Sequence, residues 1–246
     1  AHYNLAHMLT ESWQMEDALK ALDVAQAQTS MPNAASMRAA IAGKMGDADA
    51  ALKHYRALVD AGETSMRSSM AMSSLYSDTL SSQEVARLHR ELFAELGQGA
   101  RNKNSFGNDR NPDRPLRIGL VSADFHHQHP VNLFMQPMLA RWNLQQFPLT
   151  MYFTGVSYDD QTHLAKSRVS TWREMTQSTP AQFARQVEAD GIDILIDLAG
   201  HTSMQRLELF AQRMAPVQAT FLGYPGSTGI PNMDWIFGDP VVTPPE

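Results

Sequence analysis

Gln218-Ala219-Thr220-Phe221-Leu222-Gly223-Tyr224-Pro225-Gly226-Ser227-Thr228-Gly229 runs from an apolar segment straight into a turn built of glycines and a proline. The first part has the composition of a buried strand. The turn lets a ligand lie against bare main chain, because glycine carries no side chain to hold it off. In an α/β protein the carboxyl ends of strands are where ligands bind. Working outward, apolar runs at 117–122 (RIGLVS), 148–153, 171–175, 192–198 (IDILIDL), 217–222 and 235–238 predict strands. Helical patterns at 130–142, 162–170, 180–190 and 203–212 fall between them. This alternation predicts an α/β fold over residues 116–246, a mostly parallel sheet covered on both faces and wound like a Rossmann domain. No G-x-G-x-x-G follows the first strand and no G-x-x-x-x-G-K-[ST] occurs anywhere, so neither a dinucleotide site nor a P-loop is expected.

Residues 1–96 have a different period. Tyr3, Leu5, Ala6, Leu9, Ala18 and Leu19 fit the small/large pattern of a helix–turn–helix unit ending at Pro32. Gly46, Ala51, Leu52, Tyr55 and Ala57 repeat that pattern, and Leu75-Tyr76 with Val85-Ala86 and Leu88 give a degenerate third copy. A period of about 34 residues is that of tetratricopeptide repeats, which stack helix pairs and present a concave face to protein or peptide. An ordinary α-hairpin bundle is the alternative. Residues 97–115, rich in Gly, Asn, Asp and Arg, have linker composition.

The length of 246 residues predicts two structural units, and 43% hydrophobic content is enough for a sizeable core. Charged residues make up 19% and the net charge is −6, which argues against a generic nucleic-acid binder. No apolar run is long enough to span a membrane. With no cysteine the chain has neither disulfides nor thiolate chemistry. It opens without Met or a signal-peptide pattern and closes on a proline-rich loop, so it reads as a segment of a longer polypeptide.

Candidate chemistry gathers in the loops that follow the predicted strands. After the first comes Asp124-Phe125-His126-His127-Gln128-His129-Pro130. Proline favours the first helical turn, which puts His129 at a helix N-terminus, where the positive end of the dipole disfavours imidazolium. A neutral imidazole there can take a proton or orient a hydroxyl; it can equally do no more than close the helix. Three histidines in four residues also fit a metal, but one loop offers no evident fourth ligand and no metal is expected. The second strand leads to Ser157-Tyr158-Asp159-Asp160-Gln161-Thr162-His163. Asp160 is either a helix N-cap or a carboxylate at the same sheet edge as His129, able to polarise an acceptor hydroxyl. His201, in Ala199-Gly200-His201-Thr202, either lines the crevice or only hydrogen-bonds a loop.

These segments together resemble one family. RIGLVSADFHHQHPVNLFMQP, the SYDDQTH turn, DGIDILIDLAGHT, ELFAQRMAPVQATFLGYPGSTG and MDWIFGDP are similar to the protein O-GlcNAc transferases, particularly the bacterial homologues, over about residues 115–240. The resemblance implies tetratricopeptide-like repeats followed by the N-terminal Rossmann-like lobe of a GT-B glycosyltransferase. It implies inverting transfer of N-acetylglucosamine from UDP-GlcNAc to Ser or Thr hydroxyls of proteins, with no cofactor and no essential metal. It implies that His129 matches the active-site histidine and Asp160 an aspartate assisting proton removal. Leu222, Gly223, Tyr224 and Pro225 then belong to the loop facing the donor sugar, and His163 stands where animal members carry an Asn contacting peptide. His201 is taken as a further substrate contact. The His-Pro loop is one residue longer than in animal members.

The second lobe, which in the family holds the uridine and a lysine steadying the diphosphate, is not in this sequence, so the chain alone is expected to be inactive or nearly so. The expected partners are a protein or peptide acceptor, met by the repeats and the inter-lobe cleft, the nucleotide sugar and the C-terminal lobe of the same polypeptide, with no nucleic acid and no membrane. The expected location is cytoplasmic. Two alternatives stay open: a protein O-fucosyltransferase using a GDP-sugar, and a non-catalytic repeat scaffold.

Overall fold

The computed structural model describes residues 1–28, 33–98, 105–202, 204–241 and 243. Pro32, residues 99–104 of the expected linker, Ser203 and most of the closing proline-rich segment lie outside the described residues. The chain divides into two compact units, Ala1–Leu88 and His89–Glu246.

The first unit is helical: α1 (His2–Glu11), α2 (Met15–Gln28), α3 (Ala34–Lys44), α4 (Ala48–Asp60) and α5 (Arg67–Ser74), with α6 (Ser82–Phe93) running across the division. α1 packs on α2, α3 on α4 and α4 on α5. Alanines make this close packing possible: Ala6, Ala18, Ala21 and Ala34 are buried with Leu22, Met37 and Ile41 in one apolar cluster. Asp47 caps α4 by accepting the Ala50 N–H at 2.9 Å. The helical hairpins follow the repeat spacing read from the sequence. In the degenerate third copy, Leu75 and Tyr76 fall in the turn after α5 rather than on a helix.

The second unit takes the end of α6, where the sequence placed the boundary at residue 96. The reason is local: Phe93 stacks on His201, and His89 hydrogen-bonds the Tyr224 hydroxyl. Beyond it lies a six-stranded sheet of β1 (Ile118–Ser122), β2 (Leu149–Phe153), β3 (Thr171–Glu174), β4 (Ile194–Asp197), β5 (Val217–Phe221) and β6 (Trp235–Phe237). The order is β3-β2-β1-β4-β5-β6 and every neighbouring pair is parallel. β1 and β2 are buried at every residue, as apolar runs in the middle of a covered parallel sheet must be. The core joins them to Val131, Met135 and Leu139 of α7 (Pro130–Arg141) and Ala165 of α8 (Asp160–Ser167). α9 (Pro180–Ala189) opens on a Thr179–Gln182 capping box.

Two sequence expectations change here. The helix expected over 203–212 is only α10 (Leu207–Phe210), because Met204 sits in the left-handed region (φ 59°) and the Gln205 side chain accepts the Leu207 N–H. The last residues of the expected linker are tied down: Arg114 grips Asp193 through two nitrogens at 2.6 and 2.7 Å, and Asn108 donates to the same carboxylate. Burial alone would push Asp193 up, but Arg114, the Arg117 N–H and Asn108 hold its carboxyl below the ordinary value. Among the described residues no helix is long and apolar enough to cross a membrane.

Candidate active site

In this strand order the chain leaves β1 toward β2 on one side, while β4 and β5 lie on the other. The crevice outside the carboxyl ends of β1 and β4 is the topological switch point, the usual ligand position in an open α/β sheet. A pocket of about 190 Å³ opens there, lined by His129, Val131 and Phe134 from the start of α7, Thr202 after β4, and Leu222 with Gly223 after β5. A larger cavity of about 740 Å³ lies at the opposite, amino-terminal edge of the sheet, where Arg114, Arg117 and Gly191 line it.

The loop after β1 is built to present His129. Asp124 N–H donates to the Ser122 hydroxyl at 3.0 Å and Phe125 inserts fully into the core. Gln128 takes a left-handed φ of 61°, turning the chain so that His129 becomes the N-cap of α7 with Pro130 behind it. The Val131 N–H donates to His129 Nδ1 at 3.3 Å, so the neutral ring carries its proton on Nε2. Nε2 lies 3.7 Å from Asp124 Oδ1. Asp124 is 4% exposed and its Oδ2 has no hydrogen-bond partner. Burial raises its pKa, and His129 and His126 beside it pull the other way.

The second loop corrects the assignment of the helix cap. Asp159, not Asp160, caps α8: its Oδ1 accepts the Gln161 and Thr162 N–H groups, each at 3.0 Å, and its N–H donates to the Thr162 hydroxyl, a complete capping box. The other oxygen, Oδ2, accepts the His127 N–H at 2.6 Å, so one carboxylate fixes both loops. That bond, ahead of the helix N–H groups, holds the Asp159 carboxyl below its ordinary value. Asp160, relieved of capping, stands exposed in the first turn of α8, as does His163 three residues on. Neither lines the pocket with His129.

The third and fourth loops interlock. Leu222 adopts φ 72°, a position costly for a branched-chain residue. A β-carbon on Gly223 would overlap the Leu198 carbonyl oxygen, so only glycine lets the two loops touch. Gly200, at φ 59°, likewise leaves room for the Tyr224 side chain. Tyr224 and His201 are 2% and 4% exposed, so the structure places both inside the lobe rather than on the pocket wall. His201 Nε2 donates to the Thr228 carbonyl at 2.7 Å, the ring stacks on Phe93 and Tyr224 meets it edge-on. His201 thus hydrogen-bonds the loop that follows β5 and is absent from the pocket lining. Pro225 is exposed and lies outside the pocket lining.

Of the eight sequence-predicted positions, His129, Leu222 and Gly223 therefore meet in one pocket. Asp124, Asp159, Phe134 and Thr202 were missed. The Asp124 signal was present as an acid immediately after a buried strand in the same loop as His129. Phe134 and Thr202 carried no signal short of the fold.

Rossmann-like winding with its pocket at the switch point, behind tetratricopeptide-like hairpins, defines the repeat-bearing first lobe of a GT-B glycosyltransferase. The family described as glycosyl transferase family 41 matches residues 66–246, and the chain belongs to it. It is 34% identical over 146 residues to the Arabidopsis thaliana protein named "Probable UDP-N-acetylglucosamine--peptide N-acetylglucosaminyltransferase SPINDLY", an overlap of 58% of this chain and 16% of that protein. Its SPINDLY counterpart in Hordeum vulgare is 32% identical over 174 residues, 69% of this chain and 18% of that one. A solved structure of a mutant Thermobaculum terrenum O-GlcNAc transferase superposes with a TM-score of 0.86 at 25% identity, covering 97% of this chain and 46% of the other. The chain thus spans less than a fifth of these plant relatives and under half of the bacterial one.

Proposed function

We propose that this chain carries the acceptor-side half of an inverting transferase site, moving N-acetylglucosamine from UDP-GlcNAc to Ser or Thr hydroxyls of proteins. The observation that carries the reading is that His129 shares one pocket with Leu222 and Gly223 in a family 41 chain. At about 190 Å³ the pocket is smaller than the ~300–1,000 Å³ of a complete small-molecule site, which fits one sugar ring better than a whole nucleotide sugar. In the transfer the acceptor oxygen bonds to the anomeric carbon, the bond from that carbon to the diphosphate breaks, and the hydroxyl proton leaves to a base. With Nδ1 accepting the Val131 N–H, His129 has a donor at Nε2 and serves to orient a sugar or acceptor oxygen. Asp160, exposed and free of capping duty, is the carboxylate assigned to the proton. Asp124 acts through His129 and is a positioning residue.

Charge developing on the leaving diphosphate needs donors aimed at it, and the described loops of this lobe supply no basic cradle at the pocket. A polypeptide of residues 1–246 alone is therefore expected to give no turnover, and robust product on a peptide would refute this. In the full-length parent, with UDP-GlcNAc and a protein acceptor, His129→Ala should lower kcat by roughly 10²–10³-fold. Transfer should persist in EDTA, since none of these steps uses a metal. Faster transfer from a GDP-sugar would reassign the donor. Absence of turnover with intact partner binding would leave a scaffold.

A further inference from the structure

We propose that Asp124, His126 and His129 form a binding site for one divalent transition-metal ion of the zinc type, held by two imidazoles and a carboxylate with the remaining position open to water. One ligand atom from each lies within 4.8 Å of the other two. A tetrahedral zinc site with bonds of about 2.0–2.1 Å brings its ligand atoms to roughly 3.4 Å apart, so these side chains would have to close by about an ångström or a little more. His129 Nε2 and Asp124 Oδ1 are already 3.7 Å apart, and the two rings are tilted at 58° with centroids 5.0 Å apart.

The second, independent observation is the carboxylate itself. Asp124 is 96% buried, yet its Oδ2 meets no donor. Oδ2 is the second oxygen of the carboxylate whose Oδ1 lies nearest His129, and a cation held by that carboxylate offsets part of the cost of burying its charge. The loop is also held ready, because the Asp159 grip on the His127 N–H fixes the turn between the two histidines. Coordination at Nε2 has one internal cost. The ring proton moves to Nδ1, which then gives up the 3.3 Å contact with the Val131 N–H. Metal binding therefore loosens the cap of α7 and withdraws His129 from the pocket. The ion is an antagonist of the site, not a cofactor.

Binding does not depend on the transferase reading; only the effect on turnover does. The test is titration of the chelator-stripped chain with Co²⁺, read by visible absorption, followed by displacement with Zn²⁺. The expected result is one ion per chain with d–d bands of a four- or five-coordinate His₂-carboxylate set. His126→Ala and Asp124→Asn should each weaken binding at least tenfold, while His127→Ala binds as the parent does. His126→Ala, at a partly exposed ring, guards against loss of fold in the Asp124 variant, with circular dichroism checking both. No spectral change at millimolar Co²⁺, or equal loss in His127→Ala, would overturn the proposal. In the full-length enzyme Zn²⁺ should inhibit, EDTA should restore turnover, and His126→Ala should keep basal activity while resisting Zn²⁺. If Co²⁺ binds as expected but turnover is absent or indifferent to Zn²⁺, the metal site stands and the role given to His129 falls.

Discussion

His201 is packed between Phe93 and Tyr224, and burial depresses its pKa from 6.5 to about 4 even though the Thr228 carbonyl favours a proton on it. The folded ring is neutral where the unfolded one is charged. Its contribution to stability is therefore complete above about pH 6.5 and is lost as pH falls toward 4, a span of about 3 kcal/mol. Asp197 works in the opposite direction. Full burial raises it to about 6 despite N–H donors from Gly200 and Ala199, so it costs stability as pH rises from 4 to 6. Chemical denaturation of the parent and His201→Phe across pH 4–7 separates the two. The parent should lose about 3 kcal/mol relative to the variant on going from pH 6.5 to 4, and a constant gap would show that His201 is not held neutral. From sequence, His129 and His201 look alike, each a histidine just past a strand. Only the fold distinguishes the one left partly open at a helix cap from the one sealed under an aromatic ring.

Among the elements, α8 is held at its start by one side chain, Asp159. Asp159→Ala removes the cap and the clasp on the His127 N–H together, so the expected cost is about 1–2 kcal/mol, at the upper end for a lost cap. Asp160→Ala should cost little by the same thermal melt, and the reverse ranking would contradict the cap assignment. Gly223→Ala should be more damaging, because the added methyl meets main chain that cannot move aside. Its expected effect is a clear fall in Tm; a neutral result would mean that the Leu198 and Gly223 loops do not touch as described. The strands were legible to within a residue or two at each end, since short β-rich apolar runs bounded by loops admit little but a buried strand. The Asp159-Asp160 pair was not, because two adjacent acids both suit a helix start and only backbone φ/ψ decides which one caps. The helix expected over 203–212 was lost to a left-handed turn that its apolar spacing does not encode.

Across the whole molecule, strand order does what no motif could. It makes the β1 and β5 loops converge from segments nearly a hundred residues apart, so that an imidazole and a glycine hairpin face one pocket. The alternating pattern predicted a parallel sheet wound like a Rossmann domain, and the resemblance to the protein O-GlcNAc transferases made that sheet one lobe of a GT-B fold. Neither could show that Tyr224, within the most distinctive run of the chain, faces inward to His89 instead of outward to a ligand. The exposed apolar face of β6, with Trp235 67% accessible, is the part of this lobe that the sequence pattern explains least. The position of the donor sugar is open to diffraction from the full-length protein soaked with a non-hydrolysable UDP-GlcNAc analogue. The N-acetylglucosamine ring should lie against the Leu222-Gly223 main chain, with an oxygen in hydrogen-bond reach of His129 Nε2. A sugar ordered elsewhere, with the His129 pocket left to solvent, would contradict it.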